Sequence, residues 1–131
     1  MQEETEKTAI LLIGHGSRAG GANEGQHRVA ADLRSSGRYA LVECAFLEIN
    51  RPDIPAGLTA CREAGASRIV VVPYFLHLGN HVRQDLPRII GEWQQANPGL
   101  EVFLSPPLGY SPRLTGLVEE RIRQAINPPM E

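Results

Sequence analysis

Two histidines stand out in the sequence, because each follows a short apolar run and lies among residues that form tight turns. His15 lies between two glycines in the segment GHGSR, and His81 follows Gly79 and Asn80. A histidine flanked by glycines suits a turn that exposes the imidazole, whereas His81 could also serve only to cap the helix that follows it. Neutral imidazole binds metal ions and accepts protons. The two residues therefore predict a site for metal or acid–base chemistry.

Glu48 adds a carboxylate, as the first charged residue after the second apolar run of the chain. Imidazole nitrogen and carboxylate oxygen together suit an open catalytic site for a divalent first-row metal. The HExxH spacing of a zincin is absent, and the glycines around His15 match neither GxGxxG nor the P-loop. This pattern argues against nucleotide binding. His77 lies between two leucines and is expected to be a packed residue or part of the rim.

An arginine follows each of the four apolar runs, at Arg18, Arg51, Arg83 and Arg113. Guanidinium groups collected at one edge of a fold suit an anionic ligand. The chain as a whole is nearly balanced, with 13 basic and 15 acidic side chains and a formal net charge of -2. That balance argues against a nucleic-acid partner, which usually requires a basic surface.

The apolar runs predict strands at 9–13, 40–46, 68–73 and 100–104, alternating with helices at 23–36, 54–64, 83–96 and 112–126. This order predicts an α/β fold, a single-domain three-layer α/β/α sandwich around a four-stranded parallel sheet. The first and third runs are almost wholly apolar and are expected at the centre of the sheet. Glutamates interrupt the other two, which favours the edges. The apolar stripes of all four helices are expected to pack in the core, and ligands to bind beyond the carboxyl ends of the strands.

The two ends of the chain and its cysteines provide evidence on the domain bounds and the cellular compartment of the protein. Residues 1–7 are expected to form a flexible leader, 8–127 the domain and 128–131 a tail. No secretory signal pattern or apolar run near the roughly 20 residues of a membrane span is present, so we expect a cytoplasmic protein without a membrane partner. Cys44 and Cys61 form no CxxC pair and are expected to be buried thiols in a reducing compartment.

Four segments of the chain resemble the sirohydrochlorin chelatases, which are class II tetrapyrrole chelatases. These segments are LLIGHGSR at 11–18, FLE at 46–48, VVVPYFLHLGNHVRQDLP at 70–87 and PPLGYSP at 106–112. The resemblance implies a chelatase-like fold and insertion of a divalent metal (Co²⁺, or Fe²⁺ or Ni²⁺) into sirohydrochlorin, a tetrapyrrole polycarboxylate. The metal is then a substrate, no cofactor is tightly bound, and the short form of the protein is expected to be a homodimer.

The resemblance also implies roles for particular residues. It places metal-binding and catalytic roles on His15, Glu48 and His81. Substrate binding is expected from the polar residues of the same loops: Ser17, Arg18, Arg51, His77, Gly79 and Arg83. The chain departs from the pattern at Tyr110, where related chains often carry histidine, and at His77, where a less polar residue is expected. Two alternatives remain at this point: a non-catalytic metal-binding protein (a metallochaperone or sensor), and a hydrolase that uses His15 beside Arg18.

Overall fold

The computed structural model describes residues 7–128. Four strands and four helices alternate along this part of the chain. They are β1 (Thr8–Gly14), α1 (Glu24–Ser35), β2 (Leu41–Phe46), α2 (Ile54–Glu63), β3 (Arg68–Pro73), α3 (Asn80–Ala96), β4 (Glu101–Leu104) and α4 (Pro112–Ile126). The predicted leader and tail lie outside the described residues, except for Lys7 and Pro128.

The four strands form one parallel sheet in the order β2-β1-β3-β4. The predicted α/β fold with a four-stranded parallel sheet is therefore confirmed. The two nearly continuous apolar strands, β1 and β3, occupy the centre, and the two strands with polar interruptions occupy the edges. The register pairs Gly14 with Phe46 and Ile13 with Pro73. The carboxyl ends of β1, β2 and β3 thus meet at one edge of the sheet.

Helices cover both faces of the sheet and form two hydrophobic clusters. On one face α1 packs over β1 and β2, and on the other α2 and α3 pack over the sheet. The apolar stripes of these helices are buried as predicted, with Ala30, Leu58 and Leu86 fully inaccessible. Both cysteines are buried and unpaired, Cys44 in β2 and Cys61 in α2, which confirms that they are buried thiols.

Helix α3 begins at Asn80, earlier than the predicted start at residue 83. Gly79 is its N-cap, with an extended backbone (φ -71°, ψ 170°). Glycine is well tolerated at the N-cap, so the Gly–Asn pair starts the helix instead of prolonging the loop. The expectation that His81 lies in a loop is therefore wrong, because it belongs to the first turn of α3.

The apolar stripe of α4 is not in the core, contrary to expectation. None of the fifteen residues of this helix is buried. Val118 and Ile122 are each 52% exposed, and Ile126 is 72% exposed. The period of the apolar residues correctly predicts a helix with an apolar face, but periodicity carries no information about which surface covers that face.

None of the helices between residues 7 and 128 is both long enough and apolar enough to cross a membrane.

Candidate metal-binding site

His15 and Glu48 come together at the carboxyl ends of the neighbouring strands β1 and β2. The Nε2 atom of His15 lies 3.1 Å from the Oε2 atom of Glu48. Both side chains are open to solvent, 61% and 60% exposed respectively. The structure thus forms an accessible imidazole–carboxylate pair from two residues that are far apart in the sequence.

Backbone hydrogen bonds extend the pairing of β1 and β2 into the two loops that carry this pair. The Leu47 amide donates to the Gly14 carbonyl (3.0 Å), and the Glu48 amide donates to the His15 carbonyl (3.2 Å). The histidine and the glutamate are therefore held relative to each other by main-chain contacts as well as by their side chains.

The glycines on either side of His15 allow the close approach of these loops. Gly16 has a φ of +98°, and a Cβ atom there would lie 1.9 Å from the Glu48 carbonyl oxygen. A Cβ at Gly14 would lie 1.9 Å from Oε1 of Gln26. The predicted role of the glycines, a tight turn that exposes the imidazole, is confirmed and has a specific steric cause.

Asn50 holds the loop after β2, which carries Glu48, in place. The sequence analysis did not identify this residue. Its side-chain Oδ1 accepts a hydrogen bond from the Ser17 amide at 2.6 Å. Its own amide donates to the Glu48 carbonyl at 2.7 Å, around Ile49, which has a φ of +73°. This three-residue turn with positive φ is rare and strained, and such geometry concentrates at functional sites. A branched residue at this position gives no sequence signal for it.

Gln26 is a second residue that the sequence did not reveal. It lies in the first turns of α1, is 4% exposed, and donates from Nε2 to the carbonyls of Leu12 (3.0 Å) and Ala45 (3.4 Å). It therefore ties α1 to β1 and β2 just below the His15 loop. A glutamine in a helix usually faces solvent, so its burial could be seen only in the fold.

The loop after β3 reaches the site through an aromatic contact. The Phe75 ring meets the His15 ring edge-on, with centroids 6.4 Å apart and an angle of 86° between the planes. His77, in the same loop, is exposed, as is His81 at the start of α3. Within residues 7–128 no three histidine, cysteine or acidic side chains are close enough to hold a metal ion together. The structure brings His15 and Glu48 together, and a ligand set that includes His81 stays a prediction.

The predicted substrate-binding residues lie in the loops that follow β1, β2 and β3 and in the first turn of α3. Arg18 and Arg51 are exposed, and neither forms an ion pair with a carboxylate in the described part of the chain. Arg83 makes one long contact, 3.4 Å from its Nη2 to the Leu78 carbonyl. Gly79, the N-cap of α3, is also exposed, whereas Ser17 is half-buried. The arginine side chains are thus available to an anionic ligand.

Two clefts adjoin the pair, one lined by the loop after β2 and the other lined in part by the loop after β1. One, of about 500 Å³, is lined by Glu48, Asn50 and Arg51 together with neighbouring residues of the same loop. The other, of about 330 Å³, is lined by His15 and Ser17 together with Tyr74 and Phe75. A divalent ion bound by this pair alone would have two protein ligands and several positions left for water, a further side chain or a second molecule. Such a site suits transfer of a metal better than its retention.

Comparison with known proteins places the chain in a family. Residues 9–125 match the sequence profile of the CbiX family. The chain belongs to the CbiX family. This CbiX chain is 29% identical over 138 residues to the sirohydrochlorin cobaltochelatase of Methanopyrus kandleri, a match that covers 90% of this chain and 96% of that protein. It is 33% identical over 119 residues to the sirohydrochlorin ferrochelatase of Priestia megaterium, covering 88% and 44% of the two chains.

The CbiX fold is also seen in a solved structure. The sirohydrochlorin chelatase SirB of Bacillus subtilis subspecies spizizenii, solved in complex with cobalt, superposes with a TM-score of 0.83 at 30% identity. The match covers 90% of this chain and 50% of the SirB chain, so this chain spans about half the length of SirB.

Proposed function

We propose that this protein inserts a divalent metal ion into sirohydrochlorin. The observation that carries the proposal is the solvent-open His15–Glu48 pair at the carboxyl edge of the sheet, in a chain of the CbiX family. The names of two relatives support the choice of reaction, since they are sirohydrochlorin chelatases.

The first step in this proposal is delivery of the metal. His15 and Glu48 bind the incoming ion as one nitrogen and one oxygen ligand and displace part of its hydration shell. His81 completes the set from the first turn of α3. Few protein ligands and high exposure keep the ion exchangeable, so that the macrocycle nitrogens can replace the side chains.

The second step is removal of protons from the macrocycle. Metal insertion replaces two pyrrole N–H protons with one M²⁺ ion, so two protons must leave for each metal that enters. A neutral imidazole or a carboxylate accepts such a proton. Because His15 and Glu48 are both exposed, the protons pass on to water and the pair is restored.

The substrate is held by its carboxylate arms. Arginine binds carboxylates through paired N–H donors. Arg18 and Arg51 lie in the loops after β1 and β2, and Arg83 lies in the first turn of α3. The Ser17 hydroxyl, His77 and the backbone at Gly79 are further polar contacts on the same rim. The macrocycle then lies over the carboxyl ends of β1, β2 and β3.

Cobalt is the metal that we propose, with iron and nickel as the other candidates. The relative that matches this chain over almost its whole length is a cobaltochelatase, whereas the ferrochelatase is matched over less than half of its own. At a site of nitrogen and oxygen ligands, nickel binds more tightly than cobalt and cobalt more tightly than iron. Affinity alone therefore does not decide the physiological metal.

We propose the cytoplasm as the compartment and residues 8–127 as the domain. Two buried thiols without a disulfide support a reducing environment. Every strand and helix between residues 7 and 128 falls within the proposed domain.

The test is an anaerobic absorbance assay of the purified protein with sirohydrochlorin and Co²⁺, Fe²⁺ or Ni²⁺, each compared with the uncatalysed rate. We expect His15→Ala and His81→Ala to reduce insertion to the uncatalysed rate, and Glu48→Gln to reduce it by roughly tenfold or more. Glu92→Gln is the matched control, because Glu92 is an exposed glutamate of α3 that forms an ion pair with Arg88.

Circular dichroism should give the same spectrum for all four variants, since each changes an exposed side chain. Wild-type turnover in the His15 or Glu48 variant would overturn the proposed mechanism. Tight Co²⁺ binding without any change in the tetrapyrrole spectrum would instead identify a metal-binding protein that is not an enzyme.

A further inference from the structure

Two exposed apolar side chains lie apart from the apolar surface of β4 and α4. Ten large apolar side chains are exposed in the part of the chain that the structure describes, and eight of them belong to β4, α4 and the connection between them. The other two are Ile49 and Leu76, which are 50% and 56% exposed. Ile49 follows β2 and Leu76 follows β3, so both lie at the carboxyl edge of the sheet.

Each of these two residues directly follows a residue that contacts the His15 side chain. Ile49 comes after Glu48, whose carboxylate lies 3.1 Å from the imidazole. Leu76 comes after Phe75, whose ring meets the imidazole edge-on. Because β1 lies between β2 and β3 in the sheet, the two loops leave the sheet on opposite sides of the His15 loop. The strands that carry them are two strand spacings apart, which is about 10 Å.

The backbone holds Ile49 in a conformation that its side chain disfavours. Its φ is +73°, and within residues 7–128 every other residue with a positive φ is a glycine. A positive φ at a β-branched residue is a genuine outlier, whereas glycine adopts it without strain. Such outliers persist mainly where function uses them. The presence of isoleucine instead of glycine therefore indicates a role for its side chain.

The Ile49 side chain faces the candidate site. It lines the cleft of about 500 Å³ that Glu48 and Arg51 also line. A proposed metal ligand, an apolar surface and a cation are thus combined within four consecutive residues of one loop. An aliphatic side chain that is half open to solvent stabilises a complex when a ligand covers it.

Leu76 is held in place by main-chain contacts with the connection between β4 and α4. Its carbonyl accepts a hydrogen bond from the Gly109 amide at 2.9 Å, and the Phe75 carbonyl accepts one from the Leu108 amide at 2.8 Å. An apolar side chain on a fixed backbone loses less conformational entropy on binding than one on a free loop. Both exposed side chains therefore stand on loops that are already ordered.

We propose that Ile49 and Leu76 contact the face of the tetrapyrrole ring on either side of His15. A tetrapyrrole polycarboxylate has two parts, a broad and largely apolar ring and the charged arms at its edge. Arginines suit the arms, whereas an imidazole between two aliphatic side chains suits the ring and leaves the imidazole below the ring nitrogens. This inference rests on the proposed function and names two residues that select the ring instead of its charge.

The first experiment measures the dissociation constant of metal-free sirohydrochlorin by titration of its absorbance. Ile49→Ala and Leu76→Ala should each raise this constant roughly five- to tenfold, because each removes apolar surface that the ring covers. Ile126→Ala is the matched control and should leave it unchanged. Ile126 is a 72% exposed isoleucine at the far end of α4, about 22 Å along the helix from the connection that contacts Leu76.

Titrations at about 0.1 M and 1 M salt separate contact with the ring from an effect on the arginines. Salt screens the attraction between Arg51 and a carboxylate, so the dissociation constant should rise for every protein. The ratio between each alanine variant and the wild type should stay the same, since apolar contact is not screened. A ratio for Ile49→Ala that falls to one at high salt would show that the substitution acts through Arg51, and the inference would be wrong.

Ile49→Gly separates the side chain from the strain of its backbone. This variant should melt at a higher temperature than Ile49→Ala, because glycine accepts the positive φ. It should nevertheless bind sirohydrochlorin as weakly as Ile49→Ala does. Binding by Ile49→Gly that equals wild-type binding would contradict a contact between the isoleucine side chain and the ring.

Steady-state assays with Co²⁺ distinguish contact with the substrate from support of Glu48. A contact that is present both before and during metal insertion raises KM and leaves kcat within about twofold. A lower kcat at unchanged KM in Ile49→Ala would make Ile49 a support of Glu48 and overturn the inference. A wild-type dissociation constant in either alanine variant of an active protein would overturn this inference alone. Absence of insertion by the wild type would instead overturn the proposed function, since the binding titrations need no metal.

Discussion

Gly16 is the residue on which the geometry of the His15–Glu48 pair depends most directly. Its positive φ is disfavoured for any other residue, and the Glu48 carbonyl occupies the space that a side chain would need. Gly20, in the same loop, has neither constraint, since nothing lies within 4 Å of the position of its Cβ. The two glycines thus form a natural matched pair for experiment.

We expect Gly16→Ala to lower the rate of metal insertion by roughly tenfold or more, because displacement of a catalytic group by about 1 Å can cost a hundredfold in rate. Gly20→Ala should leave the rate unchanged. Steady-state assays of the two variants measure the difference, and thermal melts should show that both remain folded. Equal activity of the two variants would mean that the close approach of Gly16 to Glu48 does not matter for function.

At this scale the two members of the exposed pair were easier to find from the sequence than the residues that support them. His15 could be found because glycines flank it, and Glu48 because it is the first charge after an apolar run. Asn50 and Gln26 could not, because their roles lie in hydrogen bonds to Ser17, Leu12 and Ala45, residues distant in the sequence. An amide side chain has no period or motif that reveals such a contact.

At the scale of elements, Gly57 sets how closely α2 approaches the sheet. A Cβ at this position would lie 2.9 Å from Leu11 Cδ1 and 3.0 Å from Ala45 Cβ. The terminal methyl groups of Leu11 can move, but the Cβ atom of Ala45 is attached directly to the backbone of β2. Gly91, in the interior of α3, has nothing within 4 Å of its Cβ position.

Gly57→Ala should therefore lower the free energy of unfolding by about 1–2 kcal/mol, since overpacking outweighs the gain in helix propensity. Gly91→Ala should raise it by roughly 0.5–1 kcal/mol through propensity alone. Urea denaturation of the two variants measures both changes. A stabilised Gly57→Ala variant would show that α2 can shift from the sheet at little cost.

The elements themselves were largely predictable from the sequence. Apolar runs gave the four strands, and their polar interruptions gave the edge positions of β2 and β4. The start of α3 was missed because glycine and asparagine suit both loops and helix starts. The exposure of α4 was missed for a different reason, since an apolar face needs a partner surface but does not specify which one.

At the scale of the whole molecule, burial changes the titration of the cysteines. Cys61 is fully inaccessible beneath the sheet, and burial, with a smaller contribution from Glu43, raises its pKa from 9.0 to about 11. The thiol of the unfolded chain ionises at lower pH than that of the native protein. The unfolded state therefore binds fewer protons between these values, and native stability falls as pH rises from about 9 to about 11.

We expect this loss to amount to roughly 2–3 kcal/mol at most for Cys61, at 1.36 kcal/mol per pH unit. The unfolding free energies of the wild type and of Cys61→Ala are measured at pH 8, 9, 10 and 11. The difference between the two proteins at each pH isolates Cys61, because the contributions of the other titrating groups cancel. Cys44→Ala is the control with a weaker dependence, because Arg34 opposes the effect of burial on the pKa of Cys44. A constant difference for Cys61→Ala would contradict the burial argument.

The contact between His15 and Glu48 depends on the register in which β1 pairs with β2. Gly14 is opposite Phe46, and His15 and Glu48 follow within two positions of these residues. A slip of one residue would move Glu48 by about 3.3 Å along the sheet and reverse the faces of the side chains of β2. The proposed metal ligands His15 and Glu48 are therefore brought together only when two distant stretches of the chain have paired correctly. During refolding, metal affinity would therefore appear when β1 and β2 pair in the correct register, and not when the chain first collapses.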